Sequence, residues 1–249
     1  MILNFKQKKQ KEEKDLTESK YRNEYKHVIN KAQAFIIKSK LKALLKSDGF
    51  ADENGEYFIR SLYFDTYDNR ALAEKLEGVP FRDKYRIRFY NHDTSLIKFE
   101  NKVKHFNSTL KVFCTLTKQE AEQILNGDYD FLRGAEEPLK RRMYQEFTGD
   151  GLVPKSIVDY TRTPFVYPHG NVRITIDSDI RSLVSQGSQN SRIDIFNPNI
   201  PTVSVFPDER CVLEVKYDEY IPEFIHKIIQ IENSMTSSMS KYAACRRFV

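Results

Sequence analysis

Glu24-Tyr25-Lys26, Glu100-Asn101-Lys102 and Glu214-Val215-Lys216 set a carboxylate and an ammonium two residues apart in three separate parts of the chain. In an extended backbone, residues two apart project from the same face, so each pair shares one surface. The alternation recurs in Tyr85-Arg86-Ile87-Arg88-Phe89-Tyr90, in Ile97-Lys98-Phe99, in Val158-Asp159-Tyr160-Thr161-Arg162 and in Val172-Arg173-Ile174-Thr175-Ile176-Asp177. One face of these segments collects cations with one or two acids. The other collects Ile, Phe, Tyr, Leu and Val. Arginine forks bind phosphate oxygens in pairs, while lysine supplies point charges that tolerate a sliding ligand. A carboxylate among them can hold a divalent metal between protein and phosphate. Glu24, Glu100 and Glu214 are therefore candidate metal ligands, beside Lys26, Lys98, Lys102 and Lys216. An intrastrand salt bridge is the competing reading of each E-x-K step. The chemistry such a set suits is the handling of a linear, polyphosphate-type anion.

The elements that would position these residues are mostly strands. The pattern predicts strands from Tyr21 to Ile29, from Tyr57 to Phe64, and near 82–91, 95–105, 109–115, 154–168, 171–180 and 210–217. Lys31 to Leu45 carries apolar residues at helical spacing behind Asn30 as a cap. Further helices are expected from Arg70 to Leu76, from the Thr117-Lys118-Gln119-Glu120 capping box to Leu125, from Pro138 to Phe147, after Pro222, and from about Ser238. The stretch 183–207, rich in Ser, Asn, Gln, Gly and Pro, reads as a loop or a weakly ordered insertion. Taken singly, each alternating segment reads first as the wet face of a sandwich. Taken together, their Arg, Lys and Glu content and the amphipathic helices available to cover the apolar faces favour closure with the charged face inward. The expected fold is α+β, an antiparallel β-tunnel closed as a barrel of about eight strands, with a basic bore and helices packed outside.

Composition sets the outer limits. The chain has 249 residues, 30% charged and 12% aromatic, in the range of an ordinary globular protein. A net charge of +5 indicates solubility and no more, so functional cations must be concentrated locally. Cys114, Cys211 and Cys245 lie far apart without a CxxC pair, which argues for a reducing compartment and against a disulfide frame or zinc site. The five histidines show no metal-ligand spacing. No stretch approaches the roughly 20 apolar residues of a membrane span. The expected location is cytoplasmic. Residues 1–20 form a charged tail, and 21–249 read as one domain. No Ser-His-Asp or Cys-His arrangement stands out.

At Ser61-Leu62-Tyr63-Phe64-Asp65, Tyr85-Arg86-Ile87-Arg88-Phe89-Tyr90, Glu214-Val215-Lys216-Tyr217 and Ser240-Lys241-Tyr242 the chain resembles the VTC-type polyphosphate polymerase domain. This is a branch of the triphosphate tunnel metalloenzymes, which also include CYTH-type triphosphatases and cyclases. The resemblance extends from about Tyr21 to the C-terminus. It implies phosphate contacts for Lys26, Arg86, Arg88, Lys102, Arg162, Arg173 and Lys241 as the catalytic set. It also implies substrate contacts for Lys75, Lys111, Tyr160 and Ser240, with Lys98 and Lys216 added from their place on the charged faces. Glu214 matches the metal-binding glutamate, and the implied cofactor is Mn²⁺ or Mg²⁺. The implied partners are ATP and polyphosphate, or another triphosphate, with no specific nucleic acid. Any coupling to a membrane is expected to be absent or to lie in partner chains. The implied reaction moves the γ-phosphoryl of ATP to the end of a phosphate chain.

One departure bears on the reaction. The hydrolytic and cyclase branches begin with E-x-E-x-K, and here Arg22 stands at the first acid, leaving Glu24 and Lys26. Fewer carboxylates favour chain handling over activation of water by a second metal. Three alternatives stay open: a metal-dependent tripolyphosphatase or nucleoside triphosphatase, a non-catalytic polyphosphate or inositol-phosphate binding module, and a nucleic-acid binder, which would need an open basic face with exposed aromatics.

Overall fold

The computed structural model describes residues 22–106, 108–183, 193–230 and 239–246. The expected charged tail lies outside the described residues, as do 184–192 of the polar stretch and Ser238. Strands β1 (Asn23–Ile29), β2 (Tyr57–Asp65), β3 (Phe81–Tyr90), β4 (Asp93–His105), β5 (Ser108–Leu116), β6 (Val153–Tyr167), β7 (Val172–Leu183), β8 (Thr202–Ser204) and β9 (Cys211–Tyr217) form one antiparallel sheet. Its order is β1-β9-β7-β6-β2-β3-β4-β5, with β8 added to β7. Helices are α1 (Lys31–Leu44), α2 (Arg70–Glu77), α3 (Lys118–Leu125), α4 (Pro138–Thr148), α5 (Glu223–Ile229) and α6 (Lys241–Cys245).

The period-2 pattern does what it predicts. Ile87, Phe89, Ile97, Phe99, Cys114 and Leu116 face away from the charged surface and pack with Ile124 of α3 and Met143 and Phe147 of α4. On the other half, Ile174, Ile176, Leu213 and Val215 pack beneath Ile37 and Leu41 of α1 and Ile225 of α5. Burying one such side chain contributes roughly 1.5–3 kcal/mol, so a one-residue slip of any strand would expose its whole set. The expected cap at Asn30 and the expected capping box of Thr117 with Glu120 both form, opening α1 and α3, and Asn30 makes a full box with Gln33.

Three details correct the expectation. The sheet is not closed by hydrogen bonds: β1 and β5 are its two ends, with no ladder between them among the described residues. Curvature brings their neighbourhoods together through side chains instead, Lys102 of β4 reaching Glu24 of β1 at 3.2 Å. The polar stretch after 183 is not all loop, because β8 lies within it and Ile195 is buried. Arg60 of β2 clasps that segment through the carbonyls of Ile195 and Asn197 (3.2 and 2.5 Å) while forking onto Asp159 (2.9 and 2.8 Å). Finally, not every helix packs outside. Helix α6 lies against β6 and β7 and carries Ser240 and Lys241 into the bore.

Candidate functional site

The inward faces of the strands enclose a cavity of about 1160 Å³. Among the described residues, fifteen cationic side chains line it against three carboxylates, those of Glu24, Asp93 and Glu214. Strand β3 alone contributes Arg82, Lys84, Arg86 and Arg88, a cation at every second residue. Cross-strand register continues the rows: Lys84 lies opposite Lys102, which lies opposite Lys111, and Arg88 lies opposite Lys98.

The arginines at the centre are held from behind by buried acids. Arg86 donates to Glu100 at 2.6 Å and to the Tyr63 hydroxyl at 2.8 Å. Arg88 donates to the hydroxyls of Ser61 and Tyr160, each at 2.9 Å, and its guanidinium stays 3.9 Å from Glu100. Arg162 forks onto Asp177 at 2.7 and 2.9 Å, and Lys241 binds the same carboxylate. Tyr160 sits among three cations, with Lys241, Arg162 and Arg88 lying 4.9, 5.4 and 5.9 Å from its ring centre. Arg173 binds Asp48 at 2.5 Å and the Tyr57 hydroxyl at 3.0 Å.

The second cluster is the β1–β9 ladder, where Lys26 lies opposite Glu214 and Glu24 opposite Lys216. Lys216 is 2.6 Å from Glu214 and 3.6 Å from Glu24. Lys26 touches Glu24 and lies 3.6 Å from Glu214. These two E-x-K steps thus do form salt bridges, yet both acids still line the cavity, whereas Lys102 pairs with Glu24 and not with Glu100. Glu100 does not: it is 1% exposed, and its two oxygens are taken by Arg86 and by Lys111 at 3.0 Å.

Protonation follows from this packing. Burial pushes the Glu214 carboxyl up, but Lys216, Lys26, Arg162 and Lys241 together hold it well below the usual carboxylate range. Burial likewise opposes ionisation of Glu100, and Arg86, Arg88 and Lys111 overcome it. Arg162 and Lys241 do the same for Asp177. The lysines divide. Lys26, between two acids, is raised despite its burial. Burial and then the neighbouring Arg82, Lys102 and Lys75 bring Lys84 down to about 7. Burial and Lys26 bring Lys102 to about 7 against the pull of Glu24. Lys111 falls to about 8, again through burial, with Glu100 opposing.

Every candidate phosphate or substrate contact, from Lys26 and Lys75 through Lys98, Lys102 and Lys111 to Lys216, Ser240 and Lys241, lines this one cavity. So do Arg86, Arg88, Tyr160, Arg162 and Arg173. Of the metal candidates, Glu24 and Glu214 face it. Sequence reasoning overlooked Lys84, Arg82, Lys104, Tyr63 and the buried anchor Asp177. The signal for the first two was present, because they continue the two-residue period of Arg86 and Arg88 backwards. The conjunction of motifs explains Asp65: its carboxylate accepts from the Tyr242 hydroxyl (2.6 Å) and from the amides of Ala71 (2.8 Å) and Leu72 (3.1 Å). That pins α6 and α2 to the end of β2, with Tyr242 stacked on Tyr63 at 5.2 Å.

The family profile of the VTC domain matches residues 21–249. Among solved structures, a candidate adenylyl cyclase from Hippeastrum, described as having a dominant triphosphatase activity, aligns over 91% of this chain and 95% of its own, with 14% identity and a TM-score of 0.55. A candidate adenylate cyclase from Bacillus halodurans aligns over 80% of this chain and 81% of its own, at 18% identity and a TM-score of 0.45. The capping enzyme triphosphatase of Mimivirus covers 87% and 93%, at 14% identity and 0.38. No curated protein matches the chain. The Hippeastrum likeness shows a shared fold. Among the described residues, no helix is long and apolar enough to cross a membrane.

Proposed function

The chain belongs to the VTC domain family, and from that premise we propose that it is an ATP-dependent polyphosphate polymerase. The observation that carries this reading is the cation-lined bore in which the centre's arginines are fixed by acids outside the ligand's path. Phosphoryl transfer asks for positioning and charge neutralisation more than for a protein nucleophile. In the proposed reaction a terminal oxygen of the acceptor chain attacks the γ-phosphorus of ATP. The bond from that phosphorus to the β–γ bridging oxygen breaks, and ADP leaves with the electron pair. The chain grows by one phosphate.

Arg86, Arg88, Arg162 and Lys241 would hold the triphosphate and spread the charge that develops on it. Tyr160 and Ser240 would orient it, with Lys26, Lys102, Lys111, Lys98, Lys75, Lys216 and Arg173 along its path. Glu214 with Glu24 fits a Mn²⁺ or Mg²⁺ that arrives with the nucleotide, since such ions take one or two carboxylates and complete their shell with phosphate oxygens and water. When bound there, the ion would supply positive charge that polarises the phosphoryl group. Glu100, closed off by its three cations, fits a neutralising role better than a metal ligand's. No cluster of three acid, His or Cys ligands forms among the described residues, which fits a metal recruited by substrate.

The test follows phosphorus NMR of the purified protein with ATP and Mn²⁺, beside a Glu214→Gln control. Internal-chain phosphate signals with ADP are expected, reduced at least about a hundredfold in rate in the control. Orthophosphate and ADP without internal-chain signals would make the protein a triphosphatase. Tight polyphosphate binding without turnover would make it a binding module.

A further inference from the structure

Among the described residues, the aliphatic hydroxyls that line the bore are those of Ser95, Thr109 and Ser240. Ser95 donates to Asp93 at 2.7 Å, and hydrogen bonds from Ser95 hold that carboxyl below its ordinary range, which makes it a weak base. Ser240 is bonded to an amine instead: Lys84 Nζ lies 3.1 Å from its Oγ. A hydroxyl becomes a nucleophile when a neighbouring base can take its proton, and a lysine serves once it is held as the free amine.

The fold places both partners. Ser240 caps α6, its Oγ accepting from the Ala243 amide at 3.4 Å. The next residue, Lys241, is tied to Asp177 beside Arg162. The hydroxyl thus stands one residue from a side chain that would hold the triphosphate. Lys84 shares the inward face of β3 with Arg86, ~6.6 Å away by strand rise, and lies 5.8 Å from the ring centre of Tyr242. Its surroundings are basic, with Arg82 opposite Lys104 and Lys84 itself opposite Lys102. Burial first, and then Arg82, Lys102, Lys75 and Lys26, bring Lys84 to about 7. About half of it is then free amine near pH 7 in the unliganded protein. In that form the contact reverses, the hydroxyl donating and Nζ accepting.

We propose that Ser240 is a phosphoryl acceptor with Lys84 as its general base, so that the protein phosphorylates itself from ATP when the bore holds no chain. Ser240 Oγ attacks the γ-phosphorus, and its proton passes to Lys84 Nζ. The bond from that phosphorus to the β–γ bridging oxygen breaks, and ADP leaves with the electron pair. The product is a phosphoserine beside an ammonium. Its terminal oxygens can attack the next γ-phosphorus, so a first chain needs no free acceptor. This goes beyond the polymerase reading and rests on one part of it, that the bore holds ATP.

The experiment incubates the purified protein with ATP and Mn²⁺, quenches in acid, and follows intact mass and peptide mapping for the wild type, Ser240→Ala and Lys84→Arg. The wild type should gain phosphoryl mass at Ser240, and Ser240→Ala should gain none there. Lys84→Arg keeps the charge but cannot take the proton, so the modification should slow at least about a hundredfold. A bound anion raises the proton affinity of Lys84, so the wild-type rate at saturating ATP should climb from pH 7 toward about 9. Tripolyphosphate binding by thermal shift checks folding, and Ser240→Asn, which keeps a capping acceptor, serves if the alanine variant does not fold. No covalent phosphate, phosphate at another residue, or an unchanged rate in Lys84→Arg overturns the proposal. Chains made from ATP with Ser240 unmodified also overturn it and leave the polymerase reading standing. Modified Ser240 without chains does the reverse.

Discussion

Replacing Glu100 with glutamine removes one charge and little volume from the core of the bore. Glu100 is 1% exposed and lies 2.6 Å from Arg86, 3.0 Å from Lys111 and 3.9 Å from Arg88. Breaking a buried pair by deleting one partner costs about 3–5 kcal/mol, because the other charge stays behind unpaired. Glutamine keeps one acceptor and Lys111 can turn to solvent, so the lower end applies, about 3 kcal/mol. For a chain of this length each kcal/mol moves the melting temperature by about 2–4 °C, which gives a drop of about 6–12 °C. The second half of the expectation runs the other way. Tripolyphosphate at a hundred times its Kd stabilises a protein by about 2.7 kcal/mol, and in the variant it enters a bore with one positive charge more. Its affinity should rise, and the thermal shift it produces should exceed the wild-type shift. Scanning fluorimetry with and without tripolyphosphate, in metal-free buffer and then with Mn²⁺, reads both quantities. A melting temperature within about 2 °C of wild type refutes the neutralising role. Affinity lost only when Mn²⁺ is present would instead make Glu100 a metal ligand.

Two further outcomes follow from the same geometry. Arg88→Lys cannot serve Ser61 and Tyr160 together and still fork onto phosphate, so tripolyphosphate affinity should fall about 10–100-fold by calorimetry; an unchanged affinity would remove Arg88 from the site. Lys84, held at about 7 in the free protein, should take up a proton as an anion raises its proton affinity. Polyphosphate affinity should then weaken as pH rises from 7 toward about 9. Calorimetry in two buffers of different ionisation heat reads the uptake, which Lys84→Met should reduce; identical heats in both buffers would contradict it.

Most of this fold is legible in the sequence because its strands are long, regular and chemically two-faced. Val172-Arg173-Ile174-Thr175-Ile176-Asp177 can be satisfied in only one register, with Ile174 and Ile176 against α1 and α5 and the polar positions inward. The capping boxes at Asn30 and Thr117 fix two helix starts for equally local reasons. What could not be read is what depends on curvature. Whether β1 and β5 meet is set by accumulated twist and by side chains such as Lys102 and Glu24, and no local pattern reports either. Strand β8, three residues long, is held by pairing with β7 rather than by its own pattern. The site divides in the same way. Most of its strand cations were legible from spacing, Lys75, Lys111 and Lys241 only from the family resemblance, and Lys84 and Arg82 would have been legible had the period been followed to the start of β3. The partners of those cations were not. Asp177 was visible as a strand residue, but its role comes from Arg162 on β6 and Lys241 on α6, which only the folded chain brings to it.

Those partners divide the bore into two kinds of electrostatic surface. At the centre, Arg86 is fixed by Glu100, and Arg162 by Asp177, each acid almost fully buried. A guanidinium held from behind keeps its remaining donors aimed inward and needs little reorganisation when charge develops on a phosphate, which is the condition for electrostatic catalysis. The acids also lower the net charge there, so the centre need not bind its ligand so tightly that product cannot leave. At the Arg82–Lys104 end no ion pair forms among the described residues, although Glu74 and Glu24 act on Arg82 and Lys104 from farther off, and beside Arg82 stand Lys75, Lys84 and Lys104, flexible point charges without a preferred fork. A surface of that kind attracts a polyanion without fixing its register. Under the proposed polymerase reaction, a chain that advances by one phosphate after each transfer would need both, a rigid grip where bonds change and a loose one where the product passes. The placement of Glu100 and Asp177, rather than the number of lysines and arginines, is what separates the two.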